Sequence, residues 1–261
     1  MARKSLDAIR REAPGVLVRF EKLDLAQLES VADFASRLAA RNCAIDLLVN
    51  NAGIAETTER RVTADGFERQ LGVNYLGHFA LTARLLPLLM RSRRARVVQV
   101  SSLVHRQGAI DFDNLQMERG YDARAAHSRS KLALLMFAME LQRRSDRQGW
   151  RLLSLAAHPG YVRTGDTRTE SMIGRSESFG LKERKHPLTV GQPALDGALP
   201  TLFAATAAIV RGGEFYGPSG RFELAGPPAP ARMDERTRDA EGARRLWEIS
   251  EKLTGVRWPG E

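Results

Sequence analysis

The sequence predicts an α/β protein built on a mostly parallel sheet. Three observations lead there. Short apolar runs alternate with stretches of helical periodicity, the order expected of repeated strand–helix units. Several of those runs are nearly continuous rather than alternating, as in strands covered on both faces. Most end in Asn, Ser, Pro or Gly, the residues of strand-closing turns.

Taken in order, residues 1–13 have the pattern of a charged helix and Val16–Phe20 that of a first strand. Asp24 reads as the N-cap of a second helix, with Gln27 three residues on in a capping-box spacing. Leu28, Val31, Phe34 and Leu38 give this helix one apolar face. Ile45–Val49 is the next strand, closed by Asn50, Asn51, Ala52 and Gly53. Phe67, Leu71, Leu81 and Leu85 mark a long helix ending near Arg91. Val97–Val100 follows as a strand running into Ser101 and Ser102. A helix from about residue 124 to 147 leads to a buried strand, Leu152–Ala156, stopped by His158, Pro159 and Gly160. Residues 165–187 are polar and read as a long excursion, the kind that forms a lid or substrate loop. Helix returns over residues 193–210, a short strand at Glu214–Tyr216, and an irregular Pro/Gly-rich stretch at 226–230. Leu246, Ile249 and Leu253, with Trp247, mark a closing amphipathic helix. No repeat or composition break divides the chain, so residues 1–261 read as one domain.

Composition narrows the class. No apolar run approaches the roughly 18 residues of a membrane span, and residues 1–11 lack the apolar core of a signal peptide. Cys43 stands alone, so neither a disulfide nor a cysteine metal cluster is expected, and it reads as a buried inert thiol. A cytoplasmic protein with no membrane partner is the expectation. A net charge of +9 raises the question of nucleic acid. The basic side chains are overwhelmingly arginine and gather at helix ends (Arg91, Arg93, Arg94, Arg96; Arg143, Arg144, Arg147), where they suit the helix dipole. No aromatic residues interleave with them to stack on bases, so no nucleic-acid partner is expected.

The strand-closing residues carry chemistry. Asn50-Asn51-Ala52-Gly53 after a buried strand, Asn74 inside Gly72–Phe79, Ser101-Ser102 at a strand end, Ser130-Lys131 on a helix and His158-Pro159-Gly160 with Val162 and Thr164 occur in one order. Together they resemble the short-chain dehydrogenase/reductase family, over nearly the whole chain. Gly213–Gly220, Arg245–Glu248 and Leu253–Gly255 are similar to its retinol-dehydrogenase-like members. Each motif also has a plain reading. Asn and Gly are ordinary turn residues, Ser101 and Ser102 could merely end a strand, and Asp24 is explained by capping alone. His78, His105 and His186 read as structural or exposed.

The resemblance implies a Rossmann-like doubly wound parallel sheet and hydride transfer between NAD or NADP and a small-molecule alcohol or carbonyl. It assigns Ser102, His127, Lys131 and Asn74 to catalysis. It assigns Asp24, Leu25, Asn51, Ala52, Gly53, Lys131, Pro159, Gly160, Val162 and Thr164 to the cofactor. It also implies a homodimer paired through the two long helices.

Two departures qualify this. The family's tyrosine, four residues before its lysine, is here His127. An imidazole reaches about 2 Å less far than a phenol, and about 1 Å of misplacement can cost about a hundredfold. A neighbouring Lys131 would also depress its pKa. If His127 worked as the acid, the rate would break near pH 6 to 7. The second departure is that none of the 22 glycines falls in a Gly-x-x-x-Gly-x-Gly run, the turn that receives the pyrophosphate at a helix N-terminus. The expected fold therefore lacks the family's first β-α-β unit, cofactor binding is expected to be weak or absent, and the Ile45 strand should expose an apolar edge. An alternative reading is a catalytically impaired chain serving as an interaction or small-molecule-binding protein.

Overall fold

The computed structural model describes residues 2–55, 59–163 and 191–259. Thr164, His186 and the excursion expected over residues 165–187 lie outside the described residues. The elements run α1 (Ala2–Glu12), α2 (Leu28–Ala40), β1 (Leu47–Asn50), α3 (Arg69–Leu71), a π turn (Gly72–Leu76), α4 (Gly77–Leu89) and β2 (Ala95–Val100). They continue with α5 (Ala123–Gln148), β3 (Leu152–Ala157), α6 (Ala194–Thr206), β4 (Phe215–Pro218), β5 (Pro228–Pro230) and α7 (Ala240–Thr254).

The sheet has the order β1-β2-β3-β4-β5. The first three pairings are parallel, with Val49 opposite Val98 and Val98 opposite Leu155, and β4 with β5 is antiparallel. Helices cover both faces. Ala95, Val97 and Leu152 join the large core under α4 and α5, whereas Val98, Leu155, Ala157 and Tyr216 pack on Ala204 and Ala205 of α6. The alternation expected from the apolar runs at 45–49, 97–100 and 152–156 is therefore realised, with both faces of the central strands dry.

The largest core is aromatic. Phe79 meets Trp247 at 5.0 Å and Phe137 at 5.3 Å, and Trp247 meets Trp258 at 4.5 Å, edge-on or tilted as ring quadrupoles prefer. Arg144 lies 4.1 Å over the Trp247 ring while its guanidinium reaches the buried Glu140 at 2.8 Å. The C-terminal helix α7 thus covers α4 and α5 within its own chain.

Four expectations need correction. Residues 16–20 form no strand: Leu17 is 79% and Phe20 61% exposed. A strand is stable only beside another, and the segment has no ladder partner among the described residues. Asp24 is not the cap of α2. Its Oδ1 accepts the Ala26 N–H at 2.9 Å, closing a local turn that delays the helix to Gln27, whose side chain caps nothing. Asp65, distant in sequence, accepts the Leu28 N–H at 3.0 Å instead. Pro228–Pro230 is ordered as β5, which is open to proline because an edge strand can accept without donating. Cys43 is exposed rather than buried.

The open edge expected at β1 is present, with Leu47 and Val49 exposed on it. Among the described residues no helix is long and apolar enough to cross a membrane.

Candidate functional site

The C-terminal ends of β1, β2 and β3 lie side by side, so the turns that follow them meet at one rim of the sheet. This is where open parallel sheets bind ligands. Asn51, Ala52 and Gly53 leave β1 exposed on this rim. Ser101 and Ser102 leave β2, and Pro159, Gly160 and Val162 leave β3, all but Ser101 partly exposed.

The two serines separate cleanly. Ser101 is buried and its hydroxyl is taken by the Lys131 carbonyl at 2.8 Å. Ser102 caps the 3-10 turn Leu103–Gln107 through a long 3.4 Å bond from the Val104 N–H, which leaves its hydroxyl proton free to donate. Ser102 is therefore the member of the pair able to meet a substrate.

Asn74 stands in the π turn, a local widening of the helix ladder common at functional positions. Its fully buried amide accepts the Ile54 N–H at 2.8 Å and donates to the Ile54 carbonyl at 3.0 Å and Ser130 Oγ at 2.9 Å. Ser130 Oγ in turn donates to the His127 carbonyl at 2.8 Å. The chain Ile54–Asn74–Ser130–His127 fastens the loop after β1 to the first turns of α5. These bonds make Asn74 a brace for that loop, and its Oδ1 also borders the space beside Gly53. Sequence reasoning quoted Ser130 beside Lys131 without giving it a role, and it missed Ile54, the residue after Gly53.

Lys131 is buried, with Nζ donating to the Val100 carbonyl at 3.0 Å. Burial lowers its ammonium to about 8. His127, one helical turn earlier, is pushed down to about 4, first by burial and then by the Lys131 charge, against a hydrogen bond to the Ile54 backbone. The direction expected from Lys131 holds, but desolvation is the larger cause. The break expected near pH 6 to 7 does not follow, because the imidazole is neutral throughout that range. Its Nδ1 is buried without a partner.

The residues fit the nicotinamide half of a dinucleotide. A Cβ built on Gly53 would stand 3.2 Å from Asn74 Oδ1 and 3.3 Å from Lys131 Nζ, so glycine keeps that hollow open. Gly160 has φ 67°, a left-handed turn that glycine adopts freely, which aims the backbone after β3 at the same rim. Gln192 pins this turn by donating to the Pro159 carbonyl at 2.6 Å, and it pairs with Val162 in an isolated bridge. Its role had no signal in the sequence. Asp24 is exposed and Leu25 buried, the latter packed against Gly77. Among the described residues no glycine-rich turn opens a helix toward a pyrophosphate. His78 and His105 are buried and bonded to the backbone carbonyls of Asn74 and Ser102.

The sequence matches the family described as short chain dehydrogenase over residues 2–172. It is 39% identical over 255 residues to retinol dehydrogenase 13 of Homo sapiens, covering 96% of this chain and 73% of that protein. It is also 39% identical over 257 residues to polyprenol dehydrogenase of Mus musculus, covering 96% and 72%. Among solved structures, an uncharacterized protein from Mycobacterium paratuberculosis superposes with a TM-score of 0.77 at 38% identity, covering 100% of this chain and 83% of that one. An NADP complex of RhlG from Pseudomonas aeruginosa superposes with a TM-score of 0.55 at 25% identity, covering 77% and 75%.

Proposed function

Because this chain belongs to the short-chain dehydrogenase family, we propose that it is an oxidoreductase transferring hydride between NAD or NADP and an alcohol or carbonyl. The observation that carries this reading is the Ile54–Asn74–Ser130–His127 chain of bonds, which brings the loop after β1 onto the helix bearing Lys131. Similarity to retinol and polyprenol dehydrogenases favours a lipophilic substrate. A cytoplasmic location belongs to the same proposal.

The nicotinamide, when bound, supplies the hydride chemistry. The residues that would hold that half are Asn51, Ala52 and Gly53 after β1, Lys131 on α5, and Pro159, Gly160 and Val162 after β3. Ser102 donates its hydroxyl to the substrate oxygen. At pH 7 a group titrating at about 4 is protonated to only about one part in a thousand, so His127 is a poor proton donor. The Lys131 ammonium, at about 8, is mostly protonated and is the better proton reservoir. Carbonyl reduction drawing on Lys131 stays level up to pH of about 8 and falls above it. Reduction drawing on protonated His127 would instead fall as pH rises through about 4.

The test is deuteride transfer from C4-deuterated NADPH to a long-chain aldehyde, read by mass spectrometry of the alcohol. Ser102→Ala should lower the rate by about a hundredfold, the usual cost of losing a donor at a developing oxyanion. His127→Tyr should raise it, toward the roughly hundred- to ten-thousandfold of general acid catalysis. Absence of deuterium in the alcohol from both wild type and His127→Tyr would refute the reading and leave the impaired, binding-only alternative.

A further inference from the structure

The turn after β3 contributes Pro159 and Gly160 to the site and leaves beneath them a fully buried imidazole, His158, that the proposed chemistry does not use. Its surroundings are completely built. His158 Nδ1 accepts the Gly160 N–H at 3.1 Å, so the ring proton sits on Nε2, which donates to Glu223 Oε2 at 3.0 Å. The same carboxylate oxygen accepts Arg106 Nη2 at 2.6 Å, and Oε1 accepts the Arg232 N–H at 3.0 Å. Arg106 belongs to the 3-10 turn that Ser102 caps, and His105 of that turn bonds the Ser102 carbonyl at 2.7 Å. Gly217 on β4 makes room for the arrangement, since a Cβ there would overlap the His158 ring.

The backbone that presents Glu223 is strained. Phe222 and Glu223 both have φ 57°, in the left-handed region that L side chains disfavour. Packing of Phe222 does not explain this, because the residue is 45% exposed. The conformation instead aims one carboxylate at three donors from three separate segments: the turn after β2, the turn after β3 and the backbone after β5. Strain of this kind persists where surrounding bonds over-determine it, and it gathers at functional positions. The carboxylate is ionised: burial opposes the charge, but His158, the Arg232 N–H and Arg106 outweigh it and hold Glu223 down to about 2.

We propose that Glu223 is a positioning residue that fastens the Ser102 turn to the His158–Gly160 turn, fixing the substrate-holding hydroxyl relative to the backbone that flanks the nicotinamide. What the two turns do rests on the functional reading above; that Glu223 joins them does not.

Glutamine copies the shape of Glu223 but replaces one acceptor oxygen with a donor. Whichever way its amide turns, an NH2 faces either Arg106 and His158 or the Arg232 N–H. In Glu223→Gln, hydrogen–deuterium exchange should accelerate at least about tenfold in both 103–108 and 158–162, with 85–90 and 246–254 unchanged. Acceleration in one turn only, or in neither, would overturn the proposal. If Glu223→Gln loosens the whole chain, Arg106→Met decides: it should release 103–108 while 158–162, still held by Glu223, keeps its protection, and any other pattern overturns the fastening. Kinetics then separate positioning from folding. The variant should lose about ten- to a hundredfold in kcat at little cost in cofactor KM. Adding it to Ser102→Ala should cost little more, whereas additive losses would contradict action through Ser102. Absence of turnover in wild type would refute the functional reading and leave the exchange result to judge the fastening.

Discussion

Lys131 pays for its place in the site with stability. Its pKa of about 8, against 10.5 for a free side chain, means that burial disfavours the ammonium by about 3 kcal/mol. The sign follows from the depressed value: the penalty is present below pH 8 and fades as pH rises toward 10.5, where the unfolded chain also loses its proton. Lys131→Met, similar in volume, should therefore stabilise the protein at pH 7 by about 1 to 3 kcal/mol. That gain should shrink between pH 8 and 10.5, as read by urea unfolding at several pH values. A destabilised variant at pH 7 would mean that the ammonium is better solvated than its burial indicates. Lys131, Ser102, Asn74 and His127 were legible in the sequence because each sits within a recognisable local string. Ser130 was quoted in such a string without a role, and Ile54 acts through its backbone, which no side-chain reading exposes. Gln192 and Glu223 act on partners 33 and 65 residues away, a distance that no local pattern spans.

Elements were legible where apolar periodicity decides them and obscure where a distant partner does. The three mutually parallel strands β1, β2 and β3 announce themselves by composition. Val16–Phe20 has the same composition, yet a strand needs a neighbour, and composition cannot supply one. The start of α2 was misplaced by a turn because the acceptor at its first free amide is Asp65, not the nearby Asp24. A close approach between elements escaped notice for the same reason. At Gly77, the first residue of α4, a Cβ would stand 2.6 Å from the Leu25 carbonyl and 2.9 Å from its Cβ. Gly77→Ala improves helix propensity by about 1 kcal/mol, but it forces the segment before α2 away from α4. Overpacking of this kind costs about 1 to 3 kcal/mol. The clash is with backbone and cannot relax by a rotamer change, so net destabilisation is expected in chemical denaturation. A variant as stable as wild type would show that the segment carrying Asp24 and Leu25 is free to move.

At the scale of the molecule, a mostly parallel sheet between two helical layers was readable from alternation, whereas its strand order was not. The coverage of α4 and α5 by α7 was not, since Trp247 and Trp258 reveal nothing of their target in one dimension. The sequence did indicate an asymmetry in the site. Gly53, Ser102, Lys131 and Gly160, the residues proposed to face a nicotinamide, gather at one rim of the sheet, whereas the described residues hold no glycine-rich turn opening a helix. Titration of the chain with NADPH, followed by nicotinamide fluorescence, tests this most directly. Saturable binding weaker than micromolar, short of about −8 kcal/mol, is expected. Gly53→Val should weaken it further by filling the hollow beside Lys131 and Asn74. Micromolar affinity indifferent to Gly53→Val, or no saturable binding at all, would contradict the account.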